Sequence, residues 1–199
     1  MAQAAFDWTE FHKMSIGRPP RELLRRTIGC FDEEKRSPGV AVDLGCGAGV
    51  ETMELIRRGW HVHAVDSSSR GIELLEGMLP SGARPQFTPH VANFETFDFP
   101  DCDLVWAGYS WPYCTRGGWQ PLWQRMTAAT RPGGRIAGDC FGEKHAWAGE
   151  PEIHTVKEQD LRLTLAGLIL EAFDIEDGVR PTGDGITRWH AFGIAVRKP

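Results

Sequence analysis

The chain has 199 residues, 41% of them hydrophobic and 25% charged. That is enough for one domain with a single buried core, and too apolar for global disorder. Lys and Arg total 22 against 27 Asp and Glu, a net charge of −5. No dense run of Lys and Arg appears, which argues against a nucleic-acid partner.

The longest strongly apolar stretch, Leu163 to Leu170, is far short of the roughly 18–20 residues of a membrane span. Met1 to Ala5 lacks the basic start and apolar core of a secretory signal. Cys30, Cys46, Cys102, Cys114 and Cys140 form no CxxC pair. They read as reduced thiols of a cytoplasmic protein, without a disulfide frame or a metal site.

In chain order, residues 1–36 read as a helical lead-in, with Phe6, Trp8, Phe11 and Met14 on an irregular apolar face. Pro19-Pro20 break it, and Arg21 to Phe31 resume as an amphipathic helix. Residues 37–199 read as an alternating α/β core. Val40 to Leu44 is a short apolar run ending in glycines, as a buried parallel strand would be. Ala48 to Arg58 follows as a helix ended by Gly59, and His61 to Asp66 is the second strand. Ser67-Ser68-Ser69 caps a helix bearing Ile72, Leu75 and Met78.

A third strand falls within Pro85 to Ala92, a fourth at Asp103 to Ala107, and a helix at Trp119 to Thr130. Arg131 to Gly134 is a turn, Arg135 to Phe141 a fifth strand, and Lys157 to Gly167 a helix. Late strands lie near Leu170–Glu176 and Trp189–Arg197. The pattern predicts a Rossmann-like open sheet of seven mostly parallel strands, helices on both faces, and an antiparallel C-terminal strand.

Asp43-Leu44-Gly45-Cys46-Gly47-Ala48-Gly49 sits at the first strand-to-helix turn. Glycines there permit a tight turn and close approach of a ligand to the backbone. The spacing is GxGxG, which disfavours a dinucleotide-dependent reductase, and no Lys-Ser/Thr follows, which excludes a P-loop. Asp66, at the end of the second strand, can accept hydrogen bonds from two ribose hydroxyls, with Ser67 beside it. It could alternatively cap the next helix. As a strand-end ligand it supports no core, so its removal should spare the fold. Asn93-Phe94, after the third strand, offers a polar group and a ring for an adenine; Asn93 alone would also suit a turn. Cys46 reads as a small core filler. His61 and His63 alternate along one strand with no third ligand near them, so no metal is expected there.

At these residues the chain resembles the class I S-adenosylmethionine-dependent methyltransferases, over residues 40 to about 141. The resemblance implies that Asp43 to Gly49 wrap the methionine part of the cofactor, that Asp66 holds the ribose, and that Asn93-Phe94 flank adenine. Arg131 to Gly134 matches the family's PGG turn. Gly17-Arg18-Pro19-Pro20, and Phe141-Gly142-Glu143 with Trp147, are similar to small tellurite-resistance-type members. Arg18 would then pair with the cofactor carboxylate.

Acceptor-facing groups are expected beyond the fourth and fifth strands. Tyr109, Trp111 and Tyr113 would wall the pocket and contact the methyl-sulfonium. Ser110 to Tyr113 also invites comparison with the (Asp/Asn/Ser)-Pro-Pro-Tyr loop of methyltransferases acting on amino groups of nucleobases or glutamine, although Trp111 replaces the first proline. Trp147, Arg180 and Arg188 complete the expected pocket, and His145, His190 and Tyr109 are the candidate catalytic groups. The expected activity is methyl transfer to a small molecule by a monomer or homodimer; a noncatalytic cofactor-binding sensor is the rival reading.

Overall fold

The computed structural model describes residues 8, 15–115, 117–182 and 185–199. Of the lead-in's apolar face, Phe6, Phe11 and Met14 therefore lie outside the described residues. Helix α1 (Glu22–Glu33) forms where expected, because Leu23, Leu24, Thr27, Ile28 and Phe31 share one face and all are buried. Strand β1 (Val40–Leu44) is buried on both faces, which is why its sequence is continuously apolar instead of alternating.

The βα repeat continues with α2 (Val50–Arg57), β2 (His61–Asp66), α3 (Ser69–Met78), β3 (Phe87–Val91) and β4 (Cys102–Ala107). Ser68 caps α3 by accepting from the Gly71 N–H at 3.3 Å. Then come α4 (Trp119–Ala129), β5 (Thr130–Gly142), the two-residue β6 (Thr155–Val156), α5 (Glu158–Thr164), β7 (Ile169–Thr182) and β8 (Gly185–Arg197).

The sheet order is β3-β2-β1-β4-β5-β8-β7, with β6 paired to the end of β5. Only β8 runs against its neighbours, between β5 and β7. The order reverses between β1 and β4, and ligands in such sheets bind at that crevice, beyond the carboxyl ends of the strands. Apolar residues of α1, α2 and α3 pack one face of the sheet, and those of α4 and α5 pack the other.

Two boundaries differ from the sequence reading. The expected turn Arg131–Gly134 lies inside β5, where the ladder steps from Cys102↔Thr130 to Leu104↔Arg135. The segment is looped out as a bulge, with Gly133 at φ 73. The late hairpin is also longer than expected, pairing from Ile169↔Arg197 to Thr182↔Gly185. Its outer half carries Gly178, Pro181 and exposed Val179 and Ile186, a composition that reads as loop.

One buried cation ties the lead-in helix to the sheet. The Arg135 guanidinium on β5 is almost fully enclosed and lies over the Phe31 ring, 4.4 Å from its centroid. It donates to Glu34 at 2.6 Å and to Glu171 at 2.7 Å. Arg135→Met should lower unfolding free energy by about 3 kcal/mol, the low end for a broken buried pair because both carboxylates are partly exposed. A shift in urea midpoint at constant slope measures it.

Candidate active site

The loop after β1 is fixed by backbone hydrogen bonds. Gly45 and Cys46 N–H donate to the Val65 carbonyl at 2.7 and 3.1 Å. Gly45 and Gly49 have φ of 67 and 81, and a side chain at either would collide: its Cβ would lie 2.5 Å from Ser110 Cβ or 2.2 Å from Leu75 Cδ1. The loop is thus pressed between the segment after β4 and helix α3, and only glycine fits.

Asp66 closes this arrangement from the β2 side. Its carboxylate accepts from the Gly47 N–H and the Ser68 N–H, both at 2.8 Å. The helix cap is Ser68, so Asp66 does not serve as the N-cap. The expectation that Asp66 supports no structure is corrected, because its removal leaves two backbone donors without an acceptor. Asp43 is buried and accepts from Thr52 Oγ1 at 2.6 Å. Burial, reinforced by nearby Glu51, pushes its carboxyl up to about 7.

Beyond these strand ends lies a cleft of about 1010 Å³. Gly45, Gly47, Asp66, Ser67, Asn93 and Phe94 line one part; Tyr109, Tyr113, Trp147 and Arg180 are among the residues that line the rest. Asn93 Oδ1 accepts from the Glu95 N–H, a turn contact that leaves Asn93 on the cleft wall. Cys46, Gly49, Asp43 and Arg18 instead border an adjoining cavity of about 30 Å³. Burial raises the Cys46 thiol well above its usual range, so it is inert as a nucleophile.

Tyr109 sits at φ 55, rare for a non-glycine residue. Its ring is held by Trp189 at 5.5 Å and Phe141 at 5.8 Å, with the Arg21 guanidinium 4.5 Å from its centroid. Glu176 accepts from the Trp189 indole at 2.8 Å, from the Tyr109 hydroxyl at 3.4 Å and from Arg180. Glu95 accepts from the Thr115 N–H and hydroxyl, both at 2.7 Å, and so bridges the segments after β3 and β4.

Four expected site residues are placed elsewhere. Trp111 is buried against Trp119 and Trp123, because the helical turn Trp111–Tyr113 rotates it into the core. His145 is buried and stacked on Phe141 at 3.9 Å, with Nδ1 accepting from the Trp147 N–H. Burial, with His190 nearby, pushes it down to about 4. His190 is buried and accepts from the Lys144 N–H at 3.2 Å. Arg188 is exposed and paired with Asp177 across the hairpin. None of the four lines the cleft.

Arg18 is held by Glu51 in a two-pronged pair at 2.6 and 2.7 Å, which neutralises its charge. Sequence reasoning missed Arg21 and Glu95 on the cleft wall, and Glu176 behind it; an arginine directly after Pro19-Pro20 was the available signal.

The histidines of β2 do have a neighbour the sequence did not reveal: His63 Nδ1 and His90 Nε2 are 3.0 Å apart, with stacked rings. Among the described residues, however, no group of three or more His, Cys, Asp or Glu is arranged to hold a metal. All five cysteines are free, and no described helix is long and apolar enough to cross a membrane.

Residues 41–134 match the methyltransferase-domain family. Magnesium-protoporphyrin O-methyltransferase of Rhodobacter capsulatus is 42% identical over 52 residues, 26% of this chain and 23% of that protein. TehB from Haemophilus influenzae superimposes with a TM-score of 0.73 at 15% identity, covering 88% of this chain and 62% of that one. The magnesium protoporphyrin IX methyltransferase ChlM of Synechocystis, with S-adenosylmethionine bound, gives 0.66 at 15% identity over 99% of this chain and 100% of that one. The methyltransferase-domain match thus falls on residues 41–134, and the chain as a whole shares the fold of these structures. It spans under a quarter of the curated relative and under two thirds of TehB.

Burial, with His90 and His61 adjacent, pushes His63 down to about 4. A histidine that resists protonation only when folded makes the unfolded state bind more protons between about pH 6.5 and 4. Its contribution is therefore present above pH 6.5 and is lost as the pH falls toward 4. His63→Gln should lose less stability than wild type over that interval, measured by urea unfolding at each pH.

Proposed function

We propose that the protein transfers the methyl group of S-adenosylmethionine to a small-molecule acceptor in this cleft. The observation that carries the reading is convergence: the glycine loop, Asp66, Asn93-Phe94 and the aromatic wall after β4 open onto one space. Asp66 has carboxylate lone pairs left for two ribose hydroxyls after its two backbone contacts. Phe94 and Asn93 suit an adenine face and edge. Ser110 Oγ is buried on the cleft wall without a hydrogen-bond partner, as a group awaiting a ligand would be. The bound cofactor supplies an electrophilic methyl on a sulfonium.

The protein's task is then alignment and exclusion of water. Tyr109, fixed by Trp189, Phe141 and Arg21, gives the wall a rigid face near the β1 and β4 ends. Such a ring can contact a polarised methyl-sulfonium, worth about 0.5–2 kcal/mol. No histidine is on the cleft wall among the described residues, so proton removal by His145 or His190 has no support. The activities of the magnesium-protoporphyrin enzymes support a small organic acceptor and do not define it.

Asp66→Ala should weaken S-adenosylmethionine binding by about 1.5–3 kcal/mol, the scale for hydrogen bonds to a charged acceptor. It should also lower apo stability by about 1–3 kcal/mol through the freed Gly47 and Ser68 donors. Calorimetric titration and urea unfolding measure the two effects. Unchanged affinity would remove Asp66 from the cofactor site.

A further inference from the structure

The methyl-transfer reading leaves the acceptor undefined, and three features of the cleft narrow it. The first is size. At about 1010 Å³ the cleft lies at the top of the range for ligand pockets, about 300–1,000 Å³. It has room for a second organic molecule beside a cofactor.

The second is the chemistry of the wall. Seven lining residues are aromatic, and none of the described ones is Leu, Ile, Val or Met. An aliphatic acceptor would ordinarily be met by branched side chains, whereas this wall presents rings. Tyr109, Phe141, Trp147 and Trp189 form one continuous cluster, with neighbouring centroids 5.4 to 5.8 Å apart. Such faces favour another planar π system.

The third is charge. Arg21 lines both the cleft and the small cavity beside the glycine loop, so it stands at their junction. Its Nε is buried and has no hydrogen-bond partner. Arg18, by contrast, is already neutralised by Glu51. Its charge acts on the buried Asp139 carboxylate, and an anionic ligand is the partner its free Nε still calls for. The carboxylates on the wall are Asp66, Glu95 and Glu152. Glu95 is engaged by Thr115, and the Tyr109 and Tyr113 hydroxyls are both pushed up by burial, the latter to about 12.

We propose that the acceptor is a planar conjugated ring system bearing a carboxylate, with its rings against the Tyr109–Trp189 cluster and its carboxylate on Arg21. This rests on the methyl-transfer reading. A carboxylate oxygen lone pair forms the new O–CH₃ bond as the C–S bond of the sulfonium breaks, and that bond's electron pair stays on sulfur. The products are a methyl ester and a thioether. An anion and a cation neutralise each other, no proton is released, and no base is required. Loss of both charges is favoured beside a wall of rings, where the local dielectric is lower than in water.

The test uses the full chain with S-adenosylhomocysteine present and 2-naphthoate, 2-naphthamide and cyclohexanecarboxylate as probes, read by calorimetry. 2-Naphthoate should bind at least about tenfold more tightly than either of the others. With S-adenosylmethionine instead, mass spectrometry should find methyl 2-naphthoate. Arg21→Gln should weaken 2-naphthoate about 10- to 100-fold and leave 2-naphthamide affinity nearly unchanged. Trp189→Leu should reduce 2-naphthoate affinity about 2- to 10-fold while cyclohexanecarboxylate is unaffected. Equal binding of the three probes overturns the proposal. So does an Arg21→Gln variant that loses S-adenosylmethionine and keeps 2-naphthoate, because Arg21 would then belong to the cofactor carboxylate. Wild type that does not bind S-adenosylmethionine at all would instead overturn the methyl-transfer reading beneath it.

Discussion

The site depends on a backbone loop that has no room for a side chain at Gly45 or Gly49. Gly45 and Gly49 turn with positive φ, and each lies where a Cβ would strike a neighbouring element, Ser110 on one side and Leu75 on the other. Close packing on both flanks brings the ends of β1, β2 and β4 together, and the Val65 carbonyl locks the loop to β2. The loop's N–H groups are then placed by the scaffold before any ligand arrives. Asp66 is part of that same lock through Gly47 and Ser68, so the group read as a ribose ligand is also a structural one. A binding site built this way is preorganised, and part of its binding energy is not spent on ordering the loop.

The tryptophans divide along the same line. Trp60, Trp106, Trp111, Trp119 and Trp123 are buried in the two faces of the sheet, whereas Trp8, Trp147 and Trp189 border the cleft. The long β7–β8 hairpin explains how Trp189 reaches that position. Its outer half carries Arg180 and Trp189 onto the wall, while Glu176 gathers the Trp189 indole, the Tyr109 hydroxyl and Arg180 on one carboxylate. At the opposite end of the same sheet, Arg135 ties α1 to β5 and β7, so the lead-in helix is anchored independently of the cleft.

The elements around the glycine loop were legible because their signals are short-range. A doubly buried strand reads as a continuous apolar run, and the glycines and acid that follow it stand at strand ends that such runs define. The acceptor side was less legible because its residues lie in turns, where period-2 and period-3.6 patterns no longer say which way a side chain points. Tyr109 and Trp111 are alternate residues, yet a helical turn sends Trp111 into the core and a left-handed backbone keeps Tyr109 on the cleft. His145 was a candidate catalytic group, but stacking on Phe141 buries it. Arg21 was read only as the start of a helix, and its approach to Tyr109 is a contact between residues 88 positions apart that no local pattern encodes.

In the proposed binding mode the cofactor lies along the β1–β2 strand ends with its ribose on Asp66 and its sulfur facing the aromatic wall. The most direct measurement is a crystal structure of the full chain with S-adenosylhomocysteine. Both ribose hydroxyls should lie within hydrogen-bond distance of the Asp66 carboxylate, adenine against Phe94, and the sulfur on the Tyr109 side of the glycine loop. A ligand seated elsewhere, or one in this cleft that leaves Asp66 bonded only to Gly47 and Ser68, would contradict it.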